Sequence, residues 1–165
     1  MSSPTRATST SSTHEPAAVY LPPGLIHAAR TPTAVTTVLG SCIAVCLFDP
    51  VERVGGINHY LLPYWNGEGL ASPKYANIAL PKLLERMAEL GCRPRGLRAK
   101  LFGGGAIFQQ VGGLFGVGER NVRYAEDYLA EAGIPVVARD VGEAFTRKVI
   151  FHLHTGEAFV RRLKA

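Results

Sequence analysis

The sequence predicts a mixed α/β domain with antiparallel hairpins, on three observations. Short runs of β-branched and apolar residues stand between turn signals, as in "AVTTVL" (34–39) and "CIAVCLFD" (42–49). Two stretches, within 74–91 and 117–133, instead space their apolar residues at helical intervals. The chain closes on "RKVIFHLHTGEAFVRRL", two strand-like runs about a turn. Strands and helices follow one another in an order that fits neither an all-α nor an all-β fold.

"MSSPTRATSTSSTHEP" is rich in Ser and Thr and buries too little to offset backbone entropy, so residues 1–17 read as a disordered tail and 18–165 as one domain. "AVTTVL" is a strand ending at Gly40, and "CIAVCLFD" is a strand buried on both faces. "DPVER" turns the chain, and "VGGINHYLLP" returns it; Gly55 and Gly56 mark a bulge or a close backbone approach. After the polar loop "YWNGEGLASPK" comes a helix with Ala79, Leu80, Leu83, Leu84, Met87 and Leu90 on one stripe and Gly91 as its C-cap. Pro81 should sit in its first turn or mark a kink. "GLRAKLFGGG" is a strand entering a glycine loop. The second helix faces inward with Val122, Ala125, Leu129 and Ala132 and ends at Gly133, and "IPVVARD" is the next strand. The final hairpin turns at His154–Glu157.

At 165 residues the chain supports one sizeable core. No apolar run approaches the ~18 residues of a membrane span, which argues against membrane insertion. The net charge of +5, loosely gathered at Arg147, Lys148, Arg161, Arg162 and Lys164, suits an acidic partner and is too sparse for a nucleic-acid stripe. The N-terminus lacks the apolar segment of a secretory signal, so a cytoplasmic location with reduced cysteines is expected. Three cysteines, Cys42, Cys46 and Cys92, do not make a disulfide framework, and none has zinc-site spacing; no structural metal is expected.

The chemistry centres on "LGSCIAVCLFDP". If residues 43–48 and 54–62 pair about a turn near Pro50 or Val51, Cys42 faces residue 59 or 60, and His59 is its direct or diagonal neighbour. An imidazole beside a thiol can take its proton and create a nucleophile. Gly40 and Ser41 allow a tight bend that exposes the sulfur, with backbone N–H groups of Ser41 and Cys42 placed to face an oxyanion. Thr36, Thr37, Asn58 and Ser41 are nearby candidates for orienting the histidine. A cysteine inside an apolar run is ordinarily a core residue, which is the reading for Cys46. Cys92, beside Gly91 at a helix end, reads as a surface or half-buried bystander. "FGGGA" lacks the lysine and spacing of a phosphate loop and reads as a tight connection under packed elements.

Six blocks, "TTVLGSCIAVCLFDP", "GGINHYLLP", "KYANIALPKLLERM", "KLFGGGAIF", "VGERNVRYAEDYLAEAGIPVVARDVG" and "RKVIFHLHTGEAFVRRL", resemble in order and spacing the chemoreceptor glutamine deamidase family, CheD. The resemblance covers about residues 19–164. It implies a cytoplasmic, cofactor-free amidohydrolase acting on glutamines of methyl-accepting chemotaxis receptor helices, with a chemotaxis phosphatase as a further partner. It also implies mixed β-sheets packed together and flanked by helices, like the catalytic domain of deamidating toxins. Matched residue by residue, the nucleophile falls on Cys42, the histidine on His59, and the catalytic threonine on Thr36, six residues before the cysteine. The family tends to have Asp where Asn77 stands, Gly at Glu143, and Gly-Arg at Thr146-Arg147. A different reading of the same fold is a non-catalytic adaptor that binds receptors or the phosphatase.

Overall fold

The structure is a computed structural model that describes residues 15–106 and 116–164; residues 1–14 of the expected tail lie outside them. It is a mixed α+β fold in three layers. Strands β1 (Ala17–Tyr20), β2 (Ile26–Ala29), β3 (Thr33–Leu39), β4 (Ile43–Asp49) and β5 (Val54–Asn58) precede helix α1 (Ala76–Glu89). Strand β6 (Arg98–Gly103), helix α2 (Val117–Glu131), and strands β7 (Val136–Val141), β8 (Phe145–His152) and β9 (Ala158–Lys164) follow. One sheet has the order β1-β3-β8-β9 and the other β2-β5-β4-β6-β7, both mixed. Ala17, assigned to the tail, is the first residue of β1 and pairs with Thr33.

The chain crosses from the first sheet to the second at Gly40–Cys42, between β3 and β4. Strand β4 is buried on both faces because it lies inside the second sheet and has a layer on each side. Ile43, Val45 and Leu47 face the helices, in a core with Leu80, Leu83 and Met87 of α1 and Ala125 and Leu129 of α2. Ala44 and Cys46 face the first sheet, in a second core with Val35, Leu39, Val149 and Phe151. The period of two along a strand thus divides one apolar run between two cores.

Strand β5 fits between these layers only because it is short of side chains. A Cβ on Gly55 would come within 2.3 Å of the Leu153 carbonyl oxygen of the first sheet, and one on Gly56 within 2.9 Å of Leu83 and Met87 of α1. This is the close approach expected of the glycine pair. Pro81 lies in the second turn of α1, one turn deeper than expected, and Gly91 takes φ 91° just beyond the C-cap, Leu90. Cys92 is buried in the helix-side core, because Leu90–Cys92 fold back under α1 and the Cys92 N–H bonds the Met87 carbonyl. Among the described residues no helix is long and apolar enough to cross a membrane.

Candidate active site

Register brings the thiol and the imidazole to one face. β4 and β5 pair Cys46 with Ile57, and an isolated bridge pairs Ile43 with Tyr60. The loop between Asp49 and Val54 holds four residues, so the turn is centred between Val51 and Glu52, later than the hairpin arithmetic assumed. His59 therefore falls opposite Ala44, and Cys42 opposite Leu61. Cys42, Ala44, Ile57 and His59 alternate onto the side that faces the first sheet, which makes His59 the diagonal neighbour of Cys42. Such pairs stand about 7–8 Å apart at the backbone, within reach of a thiol and an imidazole.

The imidazole is held from the opposite sheet. Thr37 Oγ1 lies 2.7 Å from His59 Nδ1 and 2.8 Å from the Leu21 carbonyl oxygen. A carbonyl only accepts, so the Thr37 hydroxyl spends its proton on Leu21 and must accept from Nδ1–H. That selects the Nδ1–H tautomer and leaves Nε2 with a free lone pair. Nε2 is buried and has no hydrogen-bond partner among the described residues. Burial lowers the His59 pKa to about 4, so the ring is neutral at pH 7 and able to act as a base.

The hydroxyl at the imidazole is thus that of Thr37, and the expectation of Thr36 is corrected on geometry. Val35, Thr37 and Leu39 point toward the second sheet; Thr36 points to the opposite face of β3, and its carbonyl, in the plane of the sheet, accepts the Leu21 N–H at 2.8 Å. Among the described residues neither Asn58 nor Ser41 hydrogen-bonds the imidazole; Asn58 Oδ1 instead accepts the Val45 N–H at 2.9 Å.

Cys42 is partly exposed and lines a cleft together with Ser41, Leu61, Gly104, Glu119 and Glu143. Burial pushes its thiol up from the ordinary cysteine value, while its own backbone N–H pulls in the other direction. With a raised thiol and a lowered imidazole, the resting pair is neutral. Cys46 is wholly buried, and burial drives its thiol far above the usual range.

Sequence reasoning missed the supports around Cys42. The Gly40 and Cys42 carbonyls accept the N–H groups of Gly105 and Gly104 at 2.9 and 2.8 Å. Gly103 adopts φ 108°, and a Cβ there would lie 2.1 Å from the Cys42 carbonyl oxygen, so the glycine loop presses on the cysteine turn as no other residue could. Asn121 of α2, fully buried, donates from Nδ2 to the Ser41 and Leu61 carbonyls at 3.0 and 2.8 Å. The sequence signal for it was a polar residue on the inward stripe of α2, four before Ala125 and eight before Leu129. Arg147 is buried, with Nε on Asp140 at 2.9 Å and further bonds to the Gly142 and Gly103 carbonyls, tying the glycine loop to the β7–β8 turn.

Two departures from the expected family pattern acquire physical content. Asn77 accepts from the Trp65 N–H at 2.9 Å and donates to the Trp65 carbonyl at 3.3 Å, a pair of bonds that an ionised Asp could not complete. Glu143 has φ 57°, a conformation that glycine adopts at least cost, and its carboxylate meets Arg162 at 3.1 Å. Nothing in the structure explains Thr146.

Comparison with known proteins gives a consistent result. A family model described as CheD chemotactic sensory transduction matches residues 61–162. A protein of Anaeromyxobacter dehalogenans named "Probable chemoreceptor glutamine deamidase CheD 1" is 49% identical over 147 residues, 89% of this chain and 85% of that one. Proteins named "Probable chemoreceptor glutamine deamidase CheD" from Sulfurimonas denitrificans and Trichlorobacter lovleyi are 44% and 45% identical, covering 86% and 88% of this chain and 92% and 90% of their own lengths.

Proposed function

Since this chain belongs to the CheD family, we propose that it hydrolyses glutamine side-chain amides of bacterial chemoreceptors to glutamate and ammonia through a thioester on Cys42. The observation that carries the reading is His59. Its Nδ1–H is committed to Thr37, and its Nε2 lone pair is buried on the sheet face that also carries Cys42.

The cycle follows from that arrangement. Cys42 Sγ attacks the glutamine Cδ as His59 Nε2 takes the thiol proton. The new C–S bond turns the carbonyl oxygen into an oxyanion, which the backbone N–H groups of Ser41 and Cys42 stabilise. The imidazolium keeps its Nδ1–H on Thr37 and passes the Nε2 proton to the amide nitrogen, so the C–N bond breaks and ammonia leaves. His59, neutral again, deprotonates a water that attacks the thioester. The C–S bond breaks, and the sulfur recovers its proton from the imidazolium. Thr37 offers no negative charge, so it orients the ring without favouring a resting ion pair; the proton moves during attack. Each turnover adds one negative charge to a receptor helix, a change suited to tuning signalling.

The test is ammonia release from a purified receptor cytoplasmic fragment by wild type, Cys42→Ala and Cys46→Ala. Release by wild type and Cys46→Ala but not by Cys42→Ala is expected. Turnover surviving in Cys42→Ala would overturn the assignment of the nucleophile. Binding of the fragment without any ammonia from wild type would favour the adaptor reading.

A further inference from the structure

Three consecutive carbonyls around the nucleophile are gripped from outside their own turn: Gly40 by Gly105 N–H, Ser41 by Asn121 Nδ2, and Cys42 by Gly104 N–H. In a trans peptide the C=O of one residue and the N–H of the next point in opposite directions across one plane. Holding the Ser41 carbonyl therefore sets the direction of the Cys42 N–H, and holding Gly40 sets that of Ser41. The Ile43 N–H is occupied by the Tyr60 carbonyl at 3.1 Å. The N–H groups of Ser41 and Cys42 have no backbone acceptor among the described residues.

Of the three grips, two come from backbone and one from a side chain. Both partners of the Asn121 side chain are carbonyls, so its nitrogen must face them, and its Oδ1 is left buried without a partner among the described residues. The same Nδ2 bridges Ser41, next to Cys42, and Leu61, two residues past His59. A second tie from this residue runs to β5's extension, where the Tyr60 hydroxyl donates to the Asn121 carbonyl at 2.5 Å. Helix α2 comes this near because Gly118 is bare: a Cβ there would stand 2.5 Å from the Gly104 carbonyl oxygen.

We propose that Asn121 is a positioning residue for oxyanion stabilisation: its amide, bound to the Ser41 and Leu61 carbonyls, locks the peptide plane that presents the Cys42 N–H and spans the strand ends carrying Cys42 and His59. The inference rests on Cys42 reacting through a tetrahedral adduct. It does not require that the substrate be a receptor glutamine.

The test compares two reactions of the same sulfur. Alkylation by iodoacetamide is a displacement at carbon that forms no oxyanion, whereas burst acylation by p-nitrophenyl acetate passes through one. Both rates at Cys42 are measured in wild type, Asn121→Ala and Asn121→Asp below their thermal transitions, with Cys46 labelling as the monitor of unfolding. Asn121→Ser, which keeps a donor on a shorter arm, is the second variant should the first two unfold. The acylation rate is expected to fall about 10²-fold while alkylation changes less than about twofold, as expected when an oxyanion donor is misplaced. On the receptor fragment kcat should fall similarly with KM little changed. Equal losses in acylation and alkylation, or an unchanged ratio, would overturn the proposal. A lowered ratio with no ammonia released by wild type would instead sink the deamidase reading and leave the role of Asn121 standing.

Discussion

Cys42 and Cys46 belong to one apolar run, four residues apart and on the same side of the same sheet, yet they occupy opposite chemical worlds. Cys46 sits between Ile57 and Lys100 in the middle of the sheet, with the first sheet closing over it. Cys42 lies one residue before β4 begins, where the chain has just crossed between sheets and a cleft opens. The same alternation that hides one thiol points the other along the face that carries His59. The difference in surroundings is a matter of position along the strand, since residue type and face are shared.

The largest effect that would break this contrast is chemical labelling. In folded protein iodoacetamide should modify Cys42 at least about 10³-fold faster than Cys46, whose exposure requires global unfolding. Because burial raises the Cys42 thiol and the His59 ring is neutral above about pH 4, the Cys42 rate should climb with pH up to and beyond pH 9. A rate already level from about pH 5 would mean a resting thiolate–imidazolium pair and contradict the neutral one.

Next in size is the split between the two threonines. Thr37→Val removes the acceptor of Nδ1–H and is expected to lower kcat about 10²-fold, by analogy with other losses of base orientation. Thr36→Val, on the far face of β3, should leave kcat within about threefold. Kinetics on the receptor fragment decide this, and the reverse order would restore Thr36 as the orienting residue.

A smaller effect concerns stability. The folded His59 pKa of about 4 lies below the ordinary histidine value of 6.5, so the unfolded chain binds the extra proton first. Stability is fully present above about pH 6.5 and falls as pH drops toward 4, by up to about 3 kcal/mol. Chemical denaturation across that window should show the loss, and His59→Gln should flatten it. Asp140, whose carboxyl is held below its usual value by Arg162 and Arg147 despite burial, contributes only at lower pH.

The smallest expected effect is at the cleft rim. Glu143→Gly relieves a left-handed backbone at the cost of an exposed ion pair with Arg162 and a more flexible unfolded chain. Calorimetry should find Tm moved by no more than about 4 °C, and neither cysteine's labelling changed beyond about twofold.

Most of β3 to β9 and both helices were legible from period and punctuation. β1 and β2 were not: each is four residues long, too short for an alternation to declare itself. At the candidate site, the nearness of Cys42 and His59 was legible from the hairpin. The choice between Thr36 and Thr37 was not, because "TAVTTVL" has apolar residues in both registers, Ala34 and Val38 in one, Val35 and Leu39 in the other. Asn121 escaped notice because its partners are backbone carbonyls, which no residue pattern displays.

The bond between Thr37 and His59 joins strands of different sheets, and the cysteine stands at the crossover between them. The reactive geometry is therefore a gauge of how the two plates lie on one another. A slip of a fraction of an ångström between the plates would part the hydroxyl from the ring while leaving each sheet's own ladder intact. Ala44, opposite His59, and Val149, opposite Thr37, lie in that seam, and substitutions there would reach the site through the alignment of the two plates.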